Sequence, residues 1–329
     1  MKRRLTGMIA LIAVCTMVFS GCRIGSKDVV VTLDVGNKDV FNINGVRCTL
    51  PEAKVYLCNF QNIYGSAYGL NLWNHDFGDE SLDKYVKDIT VSELSRIVCM
   101  DELAAEKEIV LTETEQQKAA DASAEYYNSL SDEEITYMGI TETELTDMYA
   151  DYALAQKLYD SLTGAVDEEV SDDEARVLDI MQIFVADAAK ASEVAGKLAQ
   201  GDDFTTVASD YNEKAAIEIN VARGDLPEAV EEAAYNLDND EISGQIQADD
   251  GYYFIKCVNK NVEDMTASNK LVIAQNREKA AFNDVYDEYV SGFSSSMNEK
   301  LWNTVEIDTS GAITTNTFFT VYDKYFSGN

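Results

Sequence analysis

Between Val177 and Lys260 the chain sets out its elements in an order that few folds accept. The run VLDIMQIFV (177–185) is rich in β-branched and aromatic residues and reads as a strand. Asp187 follows as a helix N-cap. Ala188, Ala191, Val194, Ala195 and Leu198 then share one helical face, and Gly201 supplies a left-handed stop. Asp203-Phe204 opens a short helix with Val207 and Ala208. Arg223-Gly224-Asp225-Leu226 reads as a turn and Glu228 to Leu237 as another short helix. Ile246 and Tyr252 to Val258 read as two strands joined across Asp249-Asp250-Gly251, a hairpin signal.

The chain ahead of this unit is helical. Thr49 with Glu52 forms a capping box, with Pro51 tolerated in the first turn. Ser81 starts a long helix in which Leu82, Tyr85, Val86, Ile89, Leu94, Ile97, Val98 and Leu103 keep near 3.6 spacing. Thr112 with Glu115 and Thr141 with Glu144 cap two more helices. The last of these carries Leu145, Met148, Tyr149, Tyr152, Ala155, Tyr159 and Leu162 as its apolar stripe. Val29 to Val35 and Val40 to Ile43, separated by Gly36-Asn37-Lys38, read as a hairpin, and Asn44-Gly45 as a further turn. Residues 64–80 read as a loop, and 165–176 as an acidic linker or short helix. Beyond Lys260, residues 266–291 read as a helix. Trp302 to Phe326 reads as β-rich, with the runs VEI and TFFTVYDKYF. Trp302, Phe318, Phe319, Tyr322, Tyr325 and Phe326 are too apolar for a free tail.

Residues 1–22 read as a targeting segment. Lys2, Arg3 and Arg4 precede an apolar run from Met8 to Phe19, too short to span a bilayer, which needs about 20 residues. Phe19-Ser20-Gly21-Cys22 resembles a bacterial lipobox, with Phe where Leu is usual. That resemblance makes Cys22 the lipidation site and places the body outside the cytoplasm, tethered to a bacterial membrane. Acyl chains contribute about 0.8 kcal/mol per buried CH₂ to such an anchor.

The full chain carries a formal charge of −33, from 59 acidic and 26 basic residues. A body this acidic repels nucleic acid and anionic headgroups, so no nucleic-acid partner is expected. Cys48, Cys58, Cys99 and Cys257 include no CxxC pair. A helix between Cys48 and Cys58 would hold them roughly 15 Å apart, too far to bridge. Buried free thiols are the expectation. The lone histidine, His75, has no thiolate cluster beside it, so neither a metal nor a cofactor is expected.

The series from Val177 to Lys260 as a whole resembles a parvulin (PpiC-like) peptidyl-prolyl isomerase domain. The strand pair, Asn-Gly turn and capped acidic helices ahead of it resemble the chaperone region of the SurA/PrsA-type foldases. The implied architecture is α+β. A helical chaperone domain with a β-hairpin (23–174) holds an inserted parvulin-like domain (175–262), which has a small antiparallel sheet with helices. A C-terminal helix and strands (263–329) complete the first domain. The family carries a His on the first strand, a His on the last and an Asp or Cys near the loop after the second helix. A Met and a Phe wall its proline pocket. Here the first His position is Gln182, and the second is Tyr253, in GYYFI. The Asp/Cys position falls near Lys214, and the pocket Phe position is Val230. The chain is also about half a dozen residues shorter than the family between Leu226 and Val230. Gln182, Leu226, Val230 and Tyr253 are thus the substrate-binding candidates, on a site whose catalytic residues are replaced.

The leading expectation is a lipid-anchored chaperone that holds unfolded or partly folded exported polypeptides, with weak or lost isomerase activity. Tyr56, Phe60, Tyr64 and Trp73 are candidates for client contact, although a core is the commoner place for such residues. One alternative is an active isomerase using an altered ring of Gln182 and Tyr253. Another is a solute-binding lipoprotein, against which the helix-only stretch from 81 to 164 argues.

Overall fold

The computed structural model describes residues 36–65, 73, 81–167 and 169–327, and the backbone of 23–24 and 27–28. The targeting segment with Cys22, the run Val29 to Val35, and His75 lie outside the described residues. The chain divides into two compact units. The first joins Met1–Gly164 to Ala281–Asn329, and the second is Ala165–Ala280. Among the described residues no helix is long and apolar enough to cross a membrane.

In the first unit, β1 (Arg23–Ile24) and β2 (Lys27–Asp28) make a short antiparallel ladder. β3 (Asp39–Ile43) pairs with β4 (Val46–Thr49) through Asn44-Gly45. Both turn residues have positive φ, 52° and 96°, the backbone that suits the twist of a two-residue hairpin. The hairpin around Val40 to Ile43 therefore runs forward across Asn-Gly. The other edge of β3 takes the strand Ser295–Met297, from the far end of the sequence.

Five helices follow: α1 (Leu50–Gly65), α2 (Leu82–Glu106), α3 (Glu113–Ser129), α4 (Asp132–Met138) and α5 (Glu142–Thr163). Each of α1, α3 and α5 begins at its expected capping box. At α1 the Thr49 N–H donates to Glu52 Oε2 at 2.6 Å. A fourth box, Ser131 with Glu134, caps α4. The client-contact candidates Tyr56 and Phe60 are core residues, 1% and 5% exposed, and Tyr64 and Trp73 pack half-buried against the same core.

The β-rich expectation for the C-terminal segment is corrected. Ser295–Met297 is a strand, but Phe318–Phe326 is a helix, and Thr304 to Thr317 crosses the unit without regular structure. Aromatic residues favour strands by propensity, yet Phe318, Val321, Tyr322 and Tyr325 fall at helical spacing. Burial of that face decides the outcome. Phe318 is fully buried at the centre of the aromatic core. Its ring stacks on Tyr149 at 4.2 Å, with Tyr56 and Phe319 at 5.2 Å and Tyr126 at 5.5 Å.

Asp101, on α2, is the conspicuous misfit. Its Oδ1 is buried with no hydrogen-bond partner. Burial, then the charges of Asp151 and Glu102, push its carboxyl up to about 9. The folded state thus holds a proton that the unfolded chain releases near pH 4. Its contribution is complete below that pH and is lost as pH rises towards 9. Thermal melts should show the first unit less stable at pH 8 than at pH 6, by roughly 5 °C. An Asp101→Asn variant should flatten the difference. A wild-type melting temperature that rises across this interval would contradict the assignment.

The second unit is built on one antiparallel sheet of order β6-β5-β8-β7. Its elements are α6 (Asp172–Ala175), β5 (Leu178–Val185), α7 (Ala188–Ala199), α8 (Phe204–Tyr211), β6 (Glu218–Val221), α9 (Glu228–Asn236), β7 (Ile246–Ala248) and β8 (Gly251–Asn259). Alternation along β5 divides it between two cores. Ile183 and Val185 pack with Ala191, Val194, Phe204 and Val207 of α7 and α8. Leu178, Ile180 and Phe184 pack on the other face with Val230, Ala234 and Tyr235 of α9. α10 (Glu263–Val290) leaves this unit at Ala280 and ends in the first. Cys48, Cys58, Cys99 and Cys257 are all free and buried. Burial pushes the Cys58 thiol up to about 12 and the Cys99 thiol to about 11, so both stay protonated.

Candidate functional site

The candidate residues meet on the α9 face of the second sheet. Gln182 and Phe184 are alternate residues of β5, so their side chains share that face. Register places Gln182 opposite Ile255 and Phe184 opposite Tyr253 of β8. The third position comes from the loop after α8. Its shape is fixed by Asn212, whose Oδ1 accepts from the Phe184 N–H at 3.0 Å and the Lys214 N–H at 3.3 Å. Asn212 Nδ2 donates to the Lys214 and Ala216 carbonyls. The loop is thereby clamped to β5, and Lys214 is delivered over the sheet.

Gln182 is buried and uses its side chain to hold the same loop, Nε2 donating to the Ala216 carbonyl at 3.1 Å. Tyr253 is 2% exposed, and its ring lies 4.9 Å from that of Phe184. Its hydroxyl donates to Asp250 Oδ2 at 2.7 Å, and the Lys214 ammonium reaches the same oxygen at 3.2 Å. The ammonium also sits 4.5 Å from the Phe184 ring centroid and 5.6 Å from that of Tyr253. Burial and the Asp250 carboxylate push the Tyr253 hydroxyl up. The hydrogen bond from Tyr253, with Lys214 beside it, holds Asp250 below the usual carboxylate range. The arrangement can hold a fixed dipole and an ion pair. It contains no group that titrates near neutrality, because the chain's one histidine is His75.

Leu226 and Val230 belong to the same face. Val230 is fully buried beneath the sheet, and Leu226 is half-buried at the edge. The turn before Leu226 is braced by Tyr235, whose ring lies between the guanidinium groups of Arg223 at 4.2 Å and Arg176 at 4.9 Å. Arg223 pairs with Asp173 at 2.8 Å, and the Tyr235 hydroxyl donates to the Arg176 carbonyl at 2.7 Å. Half-buried Phe184, Leu226, Ile246 and Ala248 surround Tyr253 and leave a shallow apolar surface rimmed by Lys214 and Asp250. Sequence reasoning placed Gln182, Lys214 and Tyr253 together but passed over Phe184 and Asp250. Phe184 was legible, being two residues from Gln182 on one strand. Asp250 was read only as a turn residue.

Among the described residues no group of three or more His, Cys, Asp or Glu side chains is placed to hold a metal ion.

Residues 155–266 match the model of the PPIC-type PPIase domain. Over 310 residues the chain is 25% identical to the foldase protein PrsA of Caldanaerobacter subterraneus, covering 88% of this chain and 94% of that one. A shorter match to foldase protein PrsA 1 of Listeria monocytogenes is 34% identical over 98 residues, 28% of this chain and 33% of that one. Among solved structures, PrsA of Bacillus cereus aligns with a TM-score of 0.37 at 19% identity, covering 75% of this chain and 96% of that one. The domain match surrounds the site just described, and the PrsA match extends across both units, so the chain is similar to the SurA/PrsA-type foldases that carry a parvulin domain.

Proposed function

We propose that this chain is an extracytoplasmic foldase, anchored by lipid on Cys22, which holds unfolded or partly folded exported polypeptides and isomerises proline weakly or not at all. One observation carries the second half: the polar groups at the family's catalytic positions are already committed inside the domain. Gln182 holds a loop carbonyl, and Tyr253 donates to an ion-paired Asp250. Rotation about an X–Pro bond faces a barrier near 18–20 kcal/mol, and lowering it takes polar groups free to follow the amide out of planarity. Val230 and Tyr253 are sealed in the core, so the half-buried apolar face of Phe184, Leu226 and Ile246 suits resting contact with a client side chain. The acidic exterior keeps such a complex soluble.

The test takes residues 23–329 through two assays on one preparation: protease-coupled isomerisation of a short proline peptide, and suppression of aggregation of an unfolded model protein. Aggregation should be suppressed at near-stoichiometric ratios. Isomerisation should fall roughly 100-fold or more below a histidine-bearing parvulin. Tyr253→Phe should alter any residual turnover by less than about twofold. Efficient turnover that collapses in Tyr253→Phe would instead establish an active isomerase with an altered ring. Stabilisation by a small solute, with neither activity, would favour a solute-binding lipoprotein. For the anchor, labelled palmitate should be incorporated on expression in a bacterial host and lost in Cys22→Ser.

A further inference from the structure

The Lys214 side chain is held in place only by its pair with Asp250 and by the rings beneath its ammonium. It is 40% exposed and its partner Asp250 is 45% exposed, so the ion pair stands in solvent. Such pairs are weak and break readily. The Lys214 backbone, in contrast, is fixed at both N–H and carbonyl by Asn212. A flexible arm therefore pivots on a rigid base, and its ammonium comes to rest over the Phe184 ring and beside that of Tyr253. The Phe184 ring, with Leu226 and Ile246, is the half-buried apolar part of the candidate peptide surface.

We propose that Lys214 is a tethered occupant of this surface, pinned by Asp250 over the Phe184 ring, and that a client side chain binds only after displacing it. The proposal rests on the reading of this face as a peptide site. The ligand it fits is an uncharged apolar or aromatic side chain on an extended peptide. A flat ring stacks on Phe184 as the ammonium leaves, and the ammonium returns to water at little cost. Because the latch is electrostatic and exposed, added salt loosens it. The surface is therefore self-covered at low ionic strength and opens as salt screens the pair. Apparent affinity is reduced by the fraction of molecules in which the latch is closed.

The experiment follows binding of a capped, uncharged Ala-Phe-Pro-Ala peptide with a neutral fluorophore, by anisotropy, on residues 23–329. Leu226→Asp, which puts a charge into the surface, identifies the part of the signal that comes from this face. Within that part, Lys214→Ala should bind roughly three- to tenfold tighter than wild type. Asp250→Asn, which frees the arm without removing it, should lie between the two. Raising NaCl from 0.05 to 0.5 M should tighten wild type more than Lys214→Ala. Equal affinities with parallel salt responses would overturn the latch and leave the peptide surface standing. No binding by any variant, or binding untouched by Leu226→Asp, would remove the peptide surface and the latch with it.

Discussion

Replacing Phe318 by Ala should destabilise the first unit by about 3–5 kcal/mol, the range for truncating a fully buried aromatic ring. The residue is 0% exposed, and four aromatic rings stand within 5.5 Å of its centroid. Two of those neighbours are tied in place. The Tyr149 hydroxyl donates to the Phe318 carbonyl at 2.9 Å, and the Tyr126 hydroxyl accepts from Asn59 Nδ2 at 2.7 Å and Thr315 Oγ1 at 3.0 Å. The cavity therefore stays open, which puts the cost at the upper part of the range. Calorimetry should show the transition of the first unit moved down by roughly 10 °C or more and that of the second unchanged. A shift of less than a couple of degrees would mean that Phe318 is not the keystone of this core.

A comparable loss is expected for Glu134→Ala, by a different route. Glu134 is 3% exposed, and its Oε1 accepts from the N–H groups of Thr314 and Thr315, both at 2.8 Å. Its Oε2 accepts from the Ser131 N–H at 2.9 Å, completing the cap of α4. Burial alone would raise this carboxyl, but these hydrogen bonds outweigh it and hold it below its ordinary range. Removing the carboxylate leaves three backbone donors without their acceptor, each costing about 1–3 kcal/mol where water cannot reach. Partial hydration at Ser131 reduces the sum, and a loss of roughly 3–4 kcal/mol is the expectation, read from urea midpoints. Glu134→Gln keeps one acceptor oxygen and should fall between. The sign with pH is opposite to that of Asp101: the Glu134 contribution is present above its unfolded pKa and lost as acid protonates it. If Glu134→Ala unfolds at the wild-type urea concentration, the carboxylate is not what holds the irregular segment at Thr314 and Thr315.

Most of the helices announced themselves through local chemistry. Thr49 with Glu52, Thr112 with Glu115, Asp187 and Gly201 act within a turn of where they stand, so sequence neighbours suffice to read them. What stayed hidden depends on distant partners. β6, Glu218–Val221, has exposed acidic and polar residues alternating with apolar ones, and its identity as a strand comes from pairing with β5. The C-terminal helix reads as strand by residue type, and only the aromatic core waiting for one of its faces makes it helical. At the candidate site, the resemblance located Gln182, Lys214 and Tyr253, yet nothing local says that Lys214 reaches Asp250, 36 residues on. Whether these residues form a looser ring or a closed cluster is decided by that contact.

The split of the first unit around the second has a consequence for the order of assembly on a ribosome. Residues 165–280 are contiguous, so the sheet carrying the candidate site can close as soon as its own last helix has been made. The helices that precede it cannot: their central ring, Phe318, and the strand that edges β3, Ser295–Met297, are synthesised only after the second unit. The helices made before the second unit thus become native after it, because Tyr56, Tyr126 and Tyr149 all pack on Phe318. A chain that stalls before Phe318 would carry a finished isomerase-like unit beside an unfinished, adhesive one.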